Sequence, residues 1–499
     1  MPKNTHFRKC PSPKPPNLTA LMRGQGRDKM AFKSPADVLK FIKDNDIQEL
    51  IFSFTDTNGA LHVVSYASSV VNAKTFSEGV MFDGSSLKGW TQINESDMVL
   101  HPDPTTARVD PFCSVPTLKI ICDITDPGTG KIYNRDPRGV ARRAEAFVKH
   151  TGIADKVVVG PEPEFFVFDH ATYGVDPHSS FSNVASSEWP NSDELYERRG
   201  LSHHMEAHGG YLASSPRDLG AEMRSNMMAA LKSMDVIVEK HHHETAPGQH
   251  EIGIKYNTLV RSADEVQILK DVVKNVAKSY GRSATFMPKP DYKENGSGMH
   301  LHYSMWKSDK PLFAGAGYAG LSELGLWFTG GVKKHIKALN ALTNPSTNSY
   351  RRLVPGFEAP VVVAHSSGNR SAACRIPWTT SAESKRVEFR FPDPAANPYL
   401  AYAGILMAGM DGILNQIDPG EAMDKDLYKL PPTEKKMIPH VCASLREALD
   451  NLDKDRDFLK VGGVFDDDLI DAYIELKKEE IEWLEKRPTP GEFVKYYSV

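Results

Sequence analysis

Two glutamates interrupt an otherwise apolar segment, residues 157–168, which reads VVVGPEPEFFVF. Alternate residues of a strand point to the same face, so Glu162 and Glu164 would lie side by side. Two carboxylates in a partly buried place repel each other, so that one takes up a proton or a cation holds both. The alternative is a strand edge whose glutamates face water. The segment thus predicts a strand and, away from an edge, a cationic partner.

The same polar–apolar–polar arrangement recurs in two later segments. His300 and His302 flank Leu301, and Glu388 and Arg390 flank Phe389. Each pair would share one face of a short strand. One such histidine pair is more often structural than metal-binding. Its recurrence beside the glutamate pair favours a common site.

Residues 236–254 predict a hairpin with further charged groups. They read VIVEKHHHE, TAPGQ and HEIGI, and Pro247-Gly248 is a turn signal between two extended runs. If this dipeptide centres the hairpin, Glu244 and Glu251 lie opposite each other, roughly 5 Å apart, which is unfavourable without a cation. Alternation points the middle histidine of the triplet 241–243 away from the other two. Packing or solvated roles are expected for most of the triplet.

Together these segments supply five glutamates and one histidine as candidate metal ligands: Glu162, Glu164, Glu244, Glu251, Glu388 and His300. Carboxylate oxygens with one or two imidazoles favour Mg²⁺ or Mn²⁺ over structural zinc. Five carboxylates are too many for one ion. A two-metal site fits better, and such sites commonly handle phosphoryl groups.

Arginines are concentrated in the same part of the chain: Arg351, Arg352, Arg370, Arg375, Arg386 and Arg390. The planar guanidinium suits phosphate and carboxylate, and its charge stabilises a phosphoryl group in transfer. The alternative is a solvated basic face. Residues 370–378, RSAACRIPW, are mostly small and apolar, unlike an exposed helix face. The pattern indicates metal-dependent phosphoryl transfer to an anionic co-substrate.

Six motifs occur in this chain in the order in which a known protein family carries them. They are MFDGSS at 81–86, GPEPE at 160–164, NGSGMH at 295–300, NPSTNSY at 344–350, NRSA at 369–372 and FPDPAANP at 391–398. From about residue 34 to Val499 the chain resembles bacterial (type I) glutamine synthetases. The resemblance implies ATP-dependent ligation of ammonia to L-glutamate through γ-glutamyl phosphate, giving L-glutamine, ADP and phosphate.

The resemblance also implies two divalent cations, Mg²⁺ or Mn²⁺, and a role for each motif residue. Glu164, Glu244 and Glu251 would hold one ion. Glu162, His300 and Glu388 would hold the other, next to the ATP phosphates. Asp83 would bind ammonium and take its proton, with Glu244 and Tyr211 nearby. Glu358 would lie on a flap that covers the acyl phosphate and excludes water.

The remaining implied roles concern glutamate and nucleotide. The glutamate contacts would be Asn295, Gly296, Arg352 and Arg390. Arg370 and Arg375 would bind phosphate oxygens. The residues around the nucleotide would be Glu239, His302, Ser304 and Arg386. The pattern after Tyr211 departs from the family, which could alter the ammonium pocket.

Asp83 would complete the site of a neighbouring subunit, which implies an obligate homo-oligomer, a dodecamer of two stacked hexamers. Residues 479–499 would reach across the rings; a solvated terminal helix is the alternative. Tyr428, in DLYKLP, resembles the tyrosine that an adenylyltransferase modifies in regulated relatives, although its flanking charges differ.

The expected fold class is α+β, in three parts. Residues 1–33 are expected to be a disordered extension, or to reflect an over-long gene start with Met22 or Met30 as the true beginning. Residues 34–135 would form a small β-grasp-like domain. Residues 136–499 would form the catalytic domain, an antiparallel sheet with helices. Within it, 171–207 is expected to be a long loop.

Charge, hydropathy and cysteine content further restrict the possible partners and the compartment of the protein. A net charge of −4 gives no nucleic-acid signature, and no apolar run reaches transmembrane length. Five cysteines without metal-like spacing suggest a reducing compartment, hence the cytoplasm. Two rival functions remain: a ligase that joins glutamate to an organic amine, and a non-catalytic member of the fold. The retained Asp83 motif favours ammonia, and the full set of expected ligands favours an enzyme.

Overall fold

The computed structural model describes residues 32–90, 96–189, 203–357, 359–425, 427, 433 and 438–499. Its first part contains two α-helices and six strands. These are α1 (Pro35–Asp44), α2 (Ala73–Ser77), β1 (Glu49–Thr55), β2 (Leu61–Ala67), β3 (Val80–Asp83), β4 (Asp97–Pro102), β5 (Arg108–Val109) and β6 (Thr117–Thr125). Helix α1 begins as its sequence predicts: Ser34 caps it, Pro35 follows and Asp37 closes the capping box.

The first six strands form one twisted sheet over a small core. Its order is β2-β1-β6-β4-β3, with β5 paired to β6. β1 and β2 form an antiparallel hairpin around Asn58-Gly59, where Gly59 adopts a φ of +88° that suits glycine. Phe32, the first described residue, is buried and meets Phe41 edge to face. The packing therefore includes residues before α1.

The second part carries the remaining elements. Its helices are α3 (Pro137–Thr151), α4 (Ala221–Ser233), α5 (Leu259–Ser279), α6 (Glu323–Thr343), α7 (Ser349–Arg352), α8 (Pro398–Leu414), α9 (Leu445–Lys454), α10 (Asp457–Lys460), α11 (Asp467–Glu485) and α12 (Pro490–Tyr496). Its strands are β7 (Lys156–Phe168), β8 (His170–Asp176), β9 (Ser179–Ala185), β10 (Val238–His243), β11 (Gln249–Ile254), β12 (Asn257–Thr258), β13 (Ser283–Thr285), β14 (Met299–Lys307), β15 (Lys310–Pro311), β16 (Val362–Ser367), β17 (Ala372–Ile376) and β18 (Val387–Phe389).

A large sheet runs through the second part in the order β10-β11-β7-β14-β18-β17-β16, with β12, β13 and β15 added at the sides. Helix α5 packs on β7, and the predominantly apolar α8, whose one charged residue is Asp411, lies against α3, α5 and α6. Apolar residues all around a helix require burial on every side, and Tyr399, Tyr402 and Ile405 are at most 1% exposed. Within the described ranges, no helix is both long and apolar enough to cross a membrane.

Two local expectations were wrong. Residues 171–185 are not loop, because β8 and β9 pair as an antiparallel hairpin; residues 190–202 lie outside the described part. Glu244 and Glu251 are not directly opposite. Pro247-Gly248 does form the turn, in which the Gln249 N–H donates to the Ala246 carbonyl. However, the loop holds four residues, 245–248, instead of the two of Pro247-Gly248, so Glu244 lies opposite Gln249 and Glu251 pairs with His242 instead.

Candidate active site

The pairing register of the large sheet brings the predicted polar pairs onto one face. Glu251 on β11 pairs with Glu164 on β7. On the other side of β7, His300 of β14 pairs with Glu162. Glu388 of β18 pairs with His302 of β14. Side chains of directly paired residues point the same way, so the predicted ligands form one continuous row across four strands.

Glu162 lies at the centre of this row. Its carboxylate is 3.8 Å from His300 Nδ1 and 3.3 Å from His302 Nε2. On its other side, Lys240 Nζ is 2.9 Å from Oε1. Burial alone would raise the pKa of Glu162, but hydrogen bonding to the two imidazoles and the charge of Lys240 outweigh it and lower the pKa. The carboxylate is therefore held in its anionic form.

Glu164 has a different environment from its neighbour on the strand. Its Oε2 accepts hydrogen bonds from the Gly298 N–H at 2.9 Å and from Gln249 Nε2 at 3.0 Å. Its Oε1 lies 3.9 Å from His300 Nε2. Burial, together with the charges of Glu244 and Glu251, raises its pKa well above the usual range. Three close carboxylates thus need a proton or a cation, as the sequence predicts.

The hairpin supplies a second cluster beside Glu164. His242 Nε2 is 2.9 Å from Glu244 Oε1, and His242 Nδ1 is 3.8 Å from Glu251 Oε1. Burial and the charge of Glu162 raise the pKa of Glu251 to about 7, although Lys240 opposes this. Glu251 Oε1 is buried without a hydrogen bond among the described groups. Its contacts there are with Lys240 Nζ at 3.3 Å and His242 Nδ1 at 3.8 Å, so this oxygen is suited to bind a cation.

Glu388, on the last strand of the row, binds two of the predicted arginines. Arg375 Nη1 donates to one of its oxygens and Arg390 Nη1 to the other, each at 2.5 Å. Burial would raise the pKa of Glu388, but Arg390 and the nearby imidazoles lower it to about 2. Burial and the charge of Arg390 also lower the pKa of His300 to about 4. His300 is therefore neutral near pH 7 and can act as a ligand.

The donor set fits divalent cations. Three groups on this face have ligand atoms within 4.8 Å of one another: Glu162, Glu251 and His300; Glu162, His302 and Glu388; and His242, Glu244 and Glu251. Oxygen donors with a few imidazoles suit Mg²⁺ or Mn²⁺. These groups do not reproduce the predicted division into two triads, because Glu164 belongs to none of them and His242 and His302 each join one.

The predicted arginines have specific partners. Arg352 is buried, and its Nη atoms donate to the carbonyls of Arg390, Phe391 and Pro392. Arg386 Nε donates to His302 Nδ1 at 3.1 Å. The Arg370 side chain is exposed, while its carbonyl accepts from Arg390 Nε.

The other predicted binding residues lie around the same face. Asn295 is buried, and the Gly296 carbonyl accepts from Gln249 Nε2. Ser304 follows His302 on the same face of β14, with its hydroxyl buried. Tyr211 is half exposed, with its ring edge-on to His242 at 5.6 Å. Glu239 is exposed at an irregularity of β10.

Asp83 belongs to the first sheet, not to the large sheet that carries the row. It lies at the end of β3, exposed, and accepts hydrogen bonds from Ser85 and Ser86. These bonds lower its pKa. Its contacts within the described part of the chain do not reach the glutamate row. Glu358 and Tyr428 lie outside the described residues.

Sequence reasoning missed several residues that shape the site. Lys240 contacts two predicted ligands, and Gln249 binds Glu164. Glu188 accepts from His243 Nε2 and from the Gly248 N–H, which ties the hairpin turn in place. Strand alternation was a usable signal for Lys240 and His242, because both share a face with Glu244. The signal for Glu188 was absent, since it is 55 residues away in sequence.

A small sheet joined to a sheet face lined with carboxylates, imidazoles and arginines fits an ATP-dependent ligase, and the comparisons with known proteins establish the class as one that forms carbon–nitrogen bonds. Two family models match the chain. The model described as "Glutamine synthetase, beta-Grasp domain" matches residues 46–127, and "Glutamine synthetase, catalytic domain" matches residues 134–496. The chain belongs to the glutamine synthetase family.

This chain aligns with individual glutamine synthetases over almost their whole length. A glutamine synthetase of Rhizobium meliloti (strain 1021) is 58% identical over 464 residues, covering 93% of this chain and 99% of the relative. That of Bradyrhizobium diazoefficiens is 58% identical over 467 residues, with coverages of 93% and 100%. The cryo-EM structure of Plasmodium falciparum glutamine synthetase superposes with a TM-score of 0.87 at 31% identity, with coverages of 94% and 100%.

The predicted family, fold class and activity are therefore confirmed. The protein ligates ammonia to L-glutamate at the expense of ATP and forms L-glutamine through γ-glutamyl phosphate. The family uses ATP and divalent metals and is typically oligomeric. These findings favour ammonia over the rival organic amine and an enzyme over a non-catalytic member of the fold.

Proposed function

We propose that the reaction takes place across the glutamate row with two divalent cations per chain. Glu164, Glu244 and Glu251 hold one cation, and Glu162, His300 and Glu388 hold the other. The observation that carries this proposal is the register, in which Glu251 pairs with Glu164 and His300 pairs with Glu162. The two triads then lie on opposite sides of β7, whose residues 162 and 164 set their spacing.

The cations, when bound, neutralise the phosphates and the attacking carboxylate of glutamate. The chain's own residues orient the reactants. Glu388 fixes Arg375 and Arg390 by one hydrogen bond to each oxygen. A guanidinium has five N–H donors, so this contact leaves others to bind phosphate and carboxylate oxygens. Arg370, exposed beside them, binds the phosphoryl oxygens during transfer.

We assign the second half-reaction to acidic groups next to the hairpin. Asp83 of a neighbouring subunit binds ammonium, and its lowered pKa keeps it anionic for that purpose. Glu244 and Tyr211 complete this pocket, and the carboxylates accept the proton that ammonium must lose before it attacks. Glu358 covers the acyl phosphate so that water does not compete with ammonia.

We assign the remaining predicted residues to the two substrates. The glutamate contacts are Asn295, Gly296, Arg352 and Arg390. The nucleotide contacts are Glu239, His302, Ser304, Arg375 and Arg386. The hydrogen bond from Arg386 to His302 supports a common role for that pair.

Counting bound metal tests the proposal directly. Calorimetric titration of the full-length protein with Mn²⁺ is expected to show two ions per chain, in two classes. Glu251→Gln should weaken one class and Glu388→Gln the other, each by at least about tenfold, because each removes one charged ligand from one triad. One ion per chain, or both variants affecting the same class, would contradict the assignment.

We further propose that the chain assembles as a dodecamer of two stacked hexamers in the cytoplasm. Exposed apolar side chains in and after α12 support a contact by the C-terminal segment: Phe493, Val494, Tyr496, Tyr497 and Val499 are 56–100% exposed. Aromatic groups left in water at this density favour burial against another subunit. We also propose Tyr428 as the residue that an adenylyltransferase modifies.

Removal of residues 488–499 is expected to halve the assembly. The full chain should have a native mass near twelve times its 55.3 kDa, and the truncated chain a mass near six times its own, because the segment joins the rings. Light scattering after size exclusion measures both. Removal of Ser498 and Val499 alone is the control and should keep the larger mass. An unchanged mass after the long truncation would refute this role of the segment.

A further inference from the structure

Lys240 connects two of the proposed metal ligands. Its Nζ is 2.9 Å from Glu162 Oε1 and 3.3 Å from Glu251 Oε1. These two glutamates belong to different triads, so the ammonium lies on the boundary between the two proposed cations. A lysine that is half in solvent and contacts two carboxylates carries its full positive charge near pH 7.

The sheet is shaped to let this lysine reach the row. Lys240 is on β10, and β11 separates β10 from the Glu162 strand β7. Its partner across the ladder is Gly253. A Cβ at Gly253 would lie 3.2 Å from Lys240 Cε and 3.3 Å from Cγ, which is tighter than ordinary contact. The glycine thus leaves a track along which the aliphatic stem crosses β11.

The charge around Lys240 explains its position. The carboxylates of Glu162, Glu164, Glu244, Glu251 and Glu388 face the same surface, and Arg375 and Arg390 bind only the last of them. Lys240 is the group whose ammonium contacts both central carboxylates. Its side chain is 53% exposed, so it can turn into solvent without leaving a cavity. It is held by charge rather than by packing.

We propose that Lys240 is a positioning residue that serves as a built-in counter-cation and competes with the divalent ions. Its ammonium holds Glu162 and Glu251 together before metal binds, and it withdraws to solvent when both cations are bound. Lys240 thereby lowers the metal affinity of the substrate-free protein. This inference rests on the proposed metal site.

Metal titration of charge-removing variants tests the inference. Lys240→Met keeps the stem and removes the charge. In the full-length protein without ATP or glutamate, one Mn²⁺ class is expected to bind about tenfold more tightly, the effect of losing two ion pairs whose lysine is half exposed. Lys156→Met is the matched control, since Lys156 is similarly exposed on β7 and, among the described residues, pairs with Asp309 and lies over the Trp306 ring rather than contacting the row. It should bind Mn²⁺ as the parent does.

Thermal unfolding gives a second readout. Without metal, Lys240→Met should melt below the parent, because its carboxylates repel each other unscreened; with saturating Mn²⁺ its midpoint should rise by more than the parent's. If Lys240→Met fails to fold, Lys240→Gln takes its place and should show the same two changes in melting temperature. Mn²⁺ affinity that is unchanged or weaker in the charge-removing variant overturns the role of Lys240.

The Glu251→Gln and Glu388→Gln variants distinguish a failure of the proposed metal site from a failure of the role proposed for Lys240. If Glu251→Gln and Glu388→Gln weaken Mn²⁺ binding but Lys240→Met leaves it unchanged, the metal site stands and only the inference on Lys240 fails. If the parent binds no Mn²⁺, or binds it regardless of both glutamates, the proposed metal site fails, and the inference on Lys240 fails with it.

Discussion

A Glu162→Gln variant is expected to form glutamine at least about a thousandfold more slowly than the parent enzyme. Glu162 shares one group of potential ligands with Glu251 and His300 and another with His302 and Glu388. The substitution preserves shape but replaces an anionic oxygen by an amide that cannot hold a cation as well. The loss should fall on kcat, since the charge that develops on the phosphoryl group is no longer compensated.

Coupled detection of ADP and direct detection of glutamine measure this effect, with Mg²⁺ and Mn²⁺ each at saturation. Glu222→Gln is the control, because Glu222 is exposed on α4 and takes no part in the row. Its activity should equal that of the parent. A Glu162→Gln enzyme with more than about a tenth of the parental kcat, at a normal native mass, would remove Glu162 from the catalytic machinery.

Strand periodicity made much of this site predictable. The two-residue repeat depends only on backbone geometry, so it correctly grouped Glu162 with Glu164 and His300 with His302 on one face. The helix start at Ser34 was equally local. Neither prediction needed knowledge of which strands are neighbours. The resemblance to glutamine synthetases supplied the grouping of these residues into one site, and with it the activity.

The pairing register of the strands and the contacts between residues far apart in the chain could not be predicted from the sequence. Two extra loop residues, Thr245 and Ala246, displaced the expected pairing of Glu244 and Glu251, because hairpin register depends on the conformation of the whole turn. The contact of Lys240 with Glu162 depends on β11 lying between their strands and on a glycine at 253. The carbonyl partners of Arg352 come from residues 38 to 40 positions away. Such contacts follow from the folded chain, not from local pattern.

The strongest stability prediction concerns Arg138 on α3, which joins the small sheet to the catalytic helices. Its guanidinium contacts Asp103, just after β4, at 2.8 Å and Asp123, on β6 of the first sheet, at 2.5 Å. It also binds Asp264 on α5 through Nε at 2.9 Å and Nη2 at 3.0 Å. Arg138 is 3% exposed and Asp264 is 0% exposed. One buried cation therefore neutralises carboxylates from both parts of the chain.

Arg138→Met is expected to lower the free energy of unfolding by about 3–5 kcal/mol, because it leaves buried carboxylates without a partner. Thermal unfolding followed by circular dichroism, at matched chain concentration, measures the loss. Arg142→Met is a matched control: Arg142 contacts Asp103 and Asp123 but not Asp264, and its side chain is 36% exposed. Its effect should stay below about 1 kcal/mol. Equal effects of the two variants would refute the special role of burial.

The same ion-pair network predicts how the difference in unfolding free energy between the parent and Arg138→Met depends on pH. Burial would raise the pKa of Asp103, but Arg138 and its other partners lower it to about 2 from 3.8. A carboxyl with a depressed pKa stabilises the fold fully above its unfolded pKa and loses that contribution as the pH falls through its folded value. The gap between parent and Arg138→Met should therefore be constant from about pH 7 to about pH 5 and narrow toward about pH 2. A difference that widens on acidification would show that Arg138 does not stabilise the anionic form of Asp103.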